Sequence, residues 1–516
     1  MSVSLKFAAE PIRSIIVVGG GTAGWMTAAA LARSLGPQRP SITLVESDAL
    51  GTVGVGEATI PPIREMNRLL GIDEDAFVRA TAATFKLGIA FEDWRAIGHR
   101  YFHPFGRIGA AIGPLPFHHY WQALAAANPS AAGALTDYSL PAAAATAGVF
   151  CRPSDDPRST LSTISYAFHF DAGRYARLLR QRAEADGVVR HEGRIVAVER
   201  GDGGHPAGPM VRAIRLADGG ELAADLFIDC SGFTGLLIGD AADNPYQDWR
   251  EWLPCDSALA MPTARTAEPL PYTRSIAEAA GWQWRIPLQH RMGNGHVFAS
   301  AFVDREAAER VLRDSVDGKP LAEPKLLRFT PGRRSRAWSG NVVAIGLAAG
   351  FLEPLESTSI HLVQSAITRL LALWPDRALA PPDIAYFNRA TASEYERIRD
   401  FLILHYHATQ RDDSAFWNHV RTTAIPDTLA SRLELYRSRG RFFPEAFDLF
   451  MEPSWIAVLD GQGIRPERPD PLATGAIDTL ADVLPRMRAA ITRAVAAMPR
   501  HGDFVAGLRD DPADGV

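Results

Sequence analysis

Cysteine is scarce: the 516 residues contain three, Cys151, Cys230 and Cys255, far apart and without CxxC or Cys/His ligand spacing. That pattern argues against a disulfide framework and against any structural metal, and leaves each thiol as a small core residue. No apolar run approaches the roughly 18 residues that suggest a membrane span, and the opening MSVSLKFAAEPIRS has none of the basic-then-apolar order of a signal peptide. A cytoplasmic protein is expected. Basic residues form no block and the net charge is -5, so nucleic acid is not an expected partner. There is no internal repeat, and the polar tail RDDPADGV from Arg509 is expected to be disordered.

The informative residues begin near the N-terminus. The β-branched run Ser14 to Gly19 ends in glycines, the Ala-rich stretch Ala23 to Ser34 has helical composition, and a second apolar run, Ile42 to Val45, ends on Glu46. This reads as strand, tight turn, helix and parallel strand. The turn GGGTAG fits G-x-G-x-x-G at Gly19, Gly21 and Gly24, with Ala23 inside it. Glycines there let the backbone approach a pyrophosphate, and the helix N-terminus supplies amides and a favourable dipole. Glu46, 22 residues after Gly24, can accept from ribose hydroxyls. A second glycine-bearing strand, NVVAIGLAAG, runs into FLEPLESTS, and many flavoproteins close an FAD site in this way. There Gly346 is followed by Leu347, where an acidic residue is usual.

Further along, Arg174 to Asp186 reads as a helix. VVRHEGRIVAVE and MVRAIRLADGGELAADLFIDCSG read as antiparallel strands from their alternation and Asp-Gly turn. The stretches Gly109 to Pro116 and Ala123 to Ala147 are expected to form irregular or helical surface insertions. Beyond Trp374, helical periodicity and bulky aromatics point to a mainly helical cap. The expected fold class is α/β: a Rossmann-like FAD-binding module over residues 1–375, including a substrate-side insertion at about 85–165, and the cap over 376–516.

Four segments resemble the flavin-dependent tryptophan halogenase family: GVGEATIP from Gly54, FKLGIAFEDW from Phe85, WQWRIP from Trp282 and FLEPLESTS from Phe351. The W-x-W-x-I-P hexapeptide is the most specific, and the resemblance spans most of the chain. It implies an FAD fold of the aromatic-hydroxylase and halogenase type. It also implies that Lys86 and Glu356 are the catalytic pair, the lysine binding hypohalous acid or carrying the halogen as an N-halo-lysine, the glutamate orienting the acid and taking the arenium proton. Gly54, Gly56 and Ala58 would lie on a flavin-side loop. Backbone amides at Thr358 and Ser359 would hold chloride or bromide, Ser359 standing where many members have glycine. Trp282 and Trp284 would separate flavin from substrate, and His103, Phe105 and Trp455 would contact an indole ring. The resemblance further implies FADH2 delivered by a separate flavin reductase, and O2 forming a C4a-hydroperoxide that oxidises the halide.

The residues alone leave alternatives open. Lys86 lies among Phe85, Leu87, Ile89 and Phe91, where a buried ammonium is costly without a partner, yet a solvated helix lysine fits as well. Glu356 could be an N-cap or first-turn acid of the helix begun by SIHLVQSAI. Trp282, Trp284, His103, Phe105 and Trp455 could all be core residues. The rival functions are an FAD-dependent aromatic monooxygenase and a non-catalytic flavin- or indole-binding protein. Phe442 and Phe443 stand in a stretch without the tyrosine-rich pattern of enzymes that grip the amino-acid end of tryptophan, which argues against free tryptophan as substrate.

Overall fold

A computed structural model describes residues 10–36, 39–48, 56–201, 208–239 and 244–508. The expectations placed on Gly54 and on the tail from Arg509 lie outside them. The β-branched run Ser14–Val18 is the central strand of a six-stranded sheet, with Ile15 opposite Leu226 on one side and Ile42 on the other, both pairings parallel. The sheet runs Trp338–Ser339, Val342–Ala344, Leu226–Asp229, Ser14–Val18, Ser41–Glu46, Val189–Glu192, and its pairings are parallel except at Trp338–Ser339. Helix Thr22–Ser34 follows the glycine turn, buries Ala28, Ala29 and Ala30, and packs beside helix Ala172–Ala185.

The expected antiparallel unit is corrected at both ends. Ile195–Arg200, Val211–Leu216 and Glu221–Ala223 are antiparallel, but Val189–Glu192 and Leu226–Asp229 leave that unit and pair in parallel in the main sheet. LFID is buried at every residue, as a strand covered on both faces must be, whereas local alternation carries no information about pairing direction.

A second, seven-stranded sheet runs Lys325–Arg328, Ser257–Thr263, Met292–Phe298, Gly281–Pro287, Thr273–Glu278, Gly88–Glu92, Arg100–Pro104. Its one parallel pairing joins Thr273–Glu278 to Gly88–Glu92. Along Gly281–Pro287 the period of two sends Trp282, Trp284 and Ile286 into one aromatic core, while Arg285 bonds to Gln283 and Ser315 outside that core. The Ala-rich insertion forms helices Phe117–Ala127 and Leu140–Ala147. Past residue 380 the regular elements are helices, from the 27-residue Pro381–His407 to His501–Gly507. Helix Ile477–Ala496 returns onto the insertion helices, and His501 accepts the Phe85 N–H at 3.1 Å.

Candidate active site

Each glycine of the N-terminal turn meets a different requirement. Gly19 has φ +109°, and a Cβ on Gly24 would overlap the Gly19 carbonyl, so that glycine lets the helix start against the turn. A Cβ on Gly21 would meet nothing within 4 Å. Packing therefore does not explain Gly21, whose bare backbone leaves room for a group to approach the turn. Glu46 closes over the turn: a Cβ on Gly20 would strike its carboxylate, and Arg190 Nε donates to its Oε1 at 2.6 Å. Gly346, with φ +73°, brings the distant strand within reach, since its Cβ would stand 3.1 Å from that of Ala23. These residues fit a dinucleotide pyrophosphate and ribose. Leu347 faces a cleft of about 850 Å³ shared with Phe233, Tyr246 and Arg334, a cleft whose lining includes neither Lys86 nor Glu356. Gly56 and Ala58 lie on a short strand, and Gly56 packs beside Ile286 of WQWRIP.

Lys86 ends strand Thr84–Lys86 and is fully buried, which excludes the solvated helix lysine. Its Nζ donates to Ser357 Oγ at 2.8 Å and stands 5.2 Å from the Phe105 ring centroid. Burial lowers its pKa from 10.5 to about 7, against the pull of Glu356. Glu356 is also fully buried, in the short turn Pro354–Glu356 ahead of helix Ser359–Ala372, so it is not that helix's first-turn acid. Burial acts to raise its pKa, but His103 and His405 together outweigh burial and hold it below the ordinary carboxylate range. His103 Nδ1 lies 3.0 Å from both carboxylate oxygens, and His405 Nε2 lies 2.8 Å from Oε1, off the line of an ideal hydrogen bond.

Ser357 sits at φ 60°, the left-handed region, and Thr358 returns to right-handed values. Ser357 N–H donates to the Pro354 carbonyl at 3.1 Å, which leaves the amides of Thr358 and Ser359 at the start of helix Ser359–Ala372, where the first amides have no partner within the helix. The Thr358 hydroxyl is buried without a hydrogen-bond partner among the described residues.

Trp282 packs on Trp94 at 6.4 Å and on Trp284 at 6.1 Å between centroids. Gly295, opposite Trp284 in the sheet, leaves the space that its indole fills. Two rings separate Trp455 from the acid: it meets Phe401 edge-on at 5.1 Å, and Phe401 lies 5.8 Å from His103, which contacts Glu356. Lys86, Glu356, His103 and Phe105 thus share one buried site, while Trp455 is buried outside it, against Phe401 and Phe442.

A tryptophan halogenase family model matches residues 14–478. The chain belongs to the tryptophan halogenase family. It is similar to BrvH, a flavin-dependent halogenase from Brevundimonas sp. BAL3, with 47% identity and a TM-score of 0.91 over 96% of this chain and 99% of that one. A flavin-dependent halogenase from Xanthomonas campestris gives 46% and 0.92 over 98% and 100%. Tryptophan 6-halogenase SttH from Streptomyces toxytricini is 35% identical over 89% of this chain and 90% of its own.

The chain is therefore an enzyme, a flavin-dependent halogenase, and the monooxygenase and non-catalytic readings are set aside. Four further groups of this halogenase bear on the site: His405 and Gln462 stand in none of the sequence motifs, Tyr101 lies two residues before the candidate His103, and Glu353 lies inside FLEPLESTS without having been assigned a role. Tyr101 Oη lies 3.0 Å from His405 Nδ1, and Gln462 Nε2 reaches both Tyr101 Oη and the His405 carbonyl. Glu353, buried beside Trp282, Tyr406 and Cys255, is pushed up to about 7 by burial. Two acids of one segment therefore hold opposite protonation tendencies, Glu356 towards the anion and Glu353 towards the neutral acid. Among the described residues no acid, histidine and cysteine cluster could hold a metal, and no helix is long and apolar enough to cross a membrane.

Proposed function

We propose that this halogenase places chlorine or bromine on an electron-rich, indole-type ring, using FADH2 from a separate flavin reductase together with O2. Gly19, Gly21, Ala23, Gly24, Glu46, Gly56, Ala58, Gly346 and Leu347 would hold FAD. When bound and reduced, the flavin supplies the electrons with which O2 oxidises halide to hypohalous acid. Thr358 and Ser359 present amides to the halide. Trp282 and Trp284 wall the substrate off from the cofactor, so that only a small oxidant passes. Lys86 receives it: an amine titrating at about 7 is partly neutral at physiological pH, and a neutral amine can hydrogen-bond hypohalous acid or take its halogen with release of water. The ring then attacks the halogen, and Glu356, kept anionic, accepts the proton as the C–H electron pair returns to the ring.

The observation that carries this reading is the convergence of fully buried Lys86 and Glu356 at Ser357 and His103. The stretch around Phe442 and Phe443 lacks the tyrosine-rich pattern of enzymes that grip the amino-acid end of tryptophan, which supports an indole other than free tryptophan. The test is mass spectrometry of indole and tryptophan incubated with the protein, FAD, a flavin reductase, NADH, O2 and either halide. A halogen isotope pattern is expected on indole and is lost by at least about a hundredfold in Lys86→Ala. A halide-independent gain of one oxygen would overturn it.

A further inference from the structure

We infer that Tyr101 and Gln462 act through His405 as positioning residues for Glu356, fixing which imidazole nitrogen carries the proton so that an N–H faces the carboxylate. The inference rests on Glu356 being the proton acceptor proposed above. Its starting point is the Gln462 amide. Gln462 Nε2 lies 3.0 Å from the His405 backbone carbonyl, which can only accept, so the NH2 end of the amide points there. The same nitrogen lies 3.3 Å from Tyr101 Oη, and the phenol oxygen accepts its second N–H. The Tyr101 hydroxyl is then left to donate, and His405 Nδ1 receives it at 3.0 Å. With Nδ1 accepting, the single proton of the neutral ring resides on Nε2, the atom 2.8 Å from Glu356 Oε1.

Packing leaves the chain of groups little room to rearrange. Tyr101, His405 and Gln462 are all buried. Phe91 stacks on Tyr101 at 4.9 Å and on His405 at 4.6 Å. Gly461 has no side chain where the Tyr101 ring passes. His103 approaches both carboxylate oxygens from strand Arg100–Pro104, and Lys86 faces the same carboxylate across the site. Without the lock, His405 could turn an unprotonated Nε2 towards Glu356, and two lone pairs would then face each other. The carboxylate oxygen that takes the ring proton would lose its alignment.

The test compares Tyr101→Phe, which keeps the stacked ring, with Gln462→Met, which keeps the length of the side chain, in the full chain supplied with FAD, a flavin reductase, halide and indole. Both variants are expected to lower kcat by about tenfold at unchanged KM, as loss of an outer hydrogen-bond partner commonly does. Indole deuterated at the halogenated carbon is expected to reveal a primary isotope effect that the parent lacks, because proton loss becomes rate-limiting. A folded variant of either kind with parental kcat and isotope effect overturns the inference. So does a rise in KM without an isotope effect, which is the signature of a loosened pocket. Parental halogenation in Glu356→Gln would instead overturn the role of Glu356 itself.

Discussion

The burial of Lys86 costs stability, and the chemistry proposed for it depends on that burial. A pKa lowered from 10.5 to about 7 means that the unfolded chain binds a proton the folded chain lacks across that interval. Stability therefore rises with pH between the two values, and the cost of burial, on the order of 5 kcal/mol, is greatest at and below pH 7. Lys86→Met is expected to raise the melting temperature at pH 6.5 while abolishing halogenation, with the stability gain shrinking towards pH 10. A variant less stable than the parent at pH 6.5 would show that the amine is not buried as an ammonium. The Lys86 segment was recognisable from its motif, but its strand and its Ser357 partner were not. An isolated lysine among apolar residues suits a helix surface or a buried strand equally well, and only the pairing of Thr84–Lys86 with Ala167–Asp171 distinguishes them.

At the level of elements, the turn Gly19 to Gly24 separates two kinds of glycine. Gly24→Ala places a methyl against the Gly19 carbonyl and is expected to destabilise the cofactor-free protein by about 1–3 kcal/mol, as overpacking does. Gly21→Ala meets open space and is expected to leave the unfolding midpoint within about 0.5 kcal/mol while weakening FAD binding in a fluorescence titration. Equal FAD affinity in parent and Gly21→Ala would place the pyrophosphate elsewhere. The strand, turn, helix and strand order was readable because each step is local. The parallel placement of Val189–Glu192 and Leu226–Asp229 was not, since alternation reports burial and not direction.

At the level of the whole molecule, the C-terminal helix His501–Gly507 secures the strand that carries Lys86. His501 donates from Nδ1 to the Pro269 carbonyl at 2.7 Å and accepts the Phe85 N–H on Nε2, an arrangement that requires a neutral ring. Burial lowers its pKa from 6.5 to about 4. The unfolded chain binds the extra proton between those values, so this contribution is present above pH 6.5 and is lost as pH falls through 4. His501→Ala leaves two buried backbone groups unpaired and is expected to cost about 2–4 kcal/mol in urea unfolding at pH 7, with less difference from the parent near pH 4. An unchanged midpoint would mean that the C-terminal helix does not bear on Lys86.

Lys86, Glu356, the glycine turn and the two tryptophans could be singled out because each sits in a contiguous segment, the turn by its glycine spacing and the others by their family resemblance. His405, Gln462 and Gly295 could not, because nothing in their neighbours along the chain marks them, and Tyr101, although two residues before His103, could not because its link to His405 is made only between distant elements. His405 lies within helix Pro381–His407, Gln462 caps helix Glu452–Gly461, and Gly295 matters only through its register with Trp284. A motif records contacts made within a few residues, where backbone geometry links spacing to direction. The groups that keep Glu356 anionic meet it from distant elements, and their positions depend on how the helices close over the seven-stranded sheet.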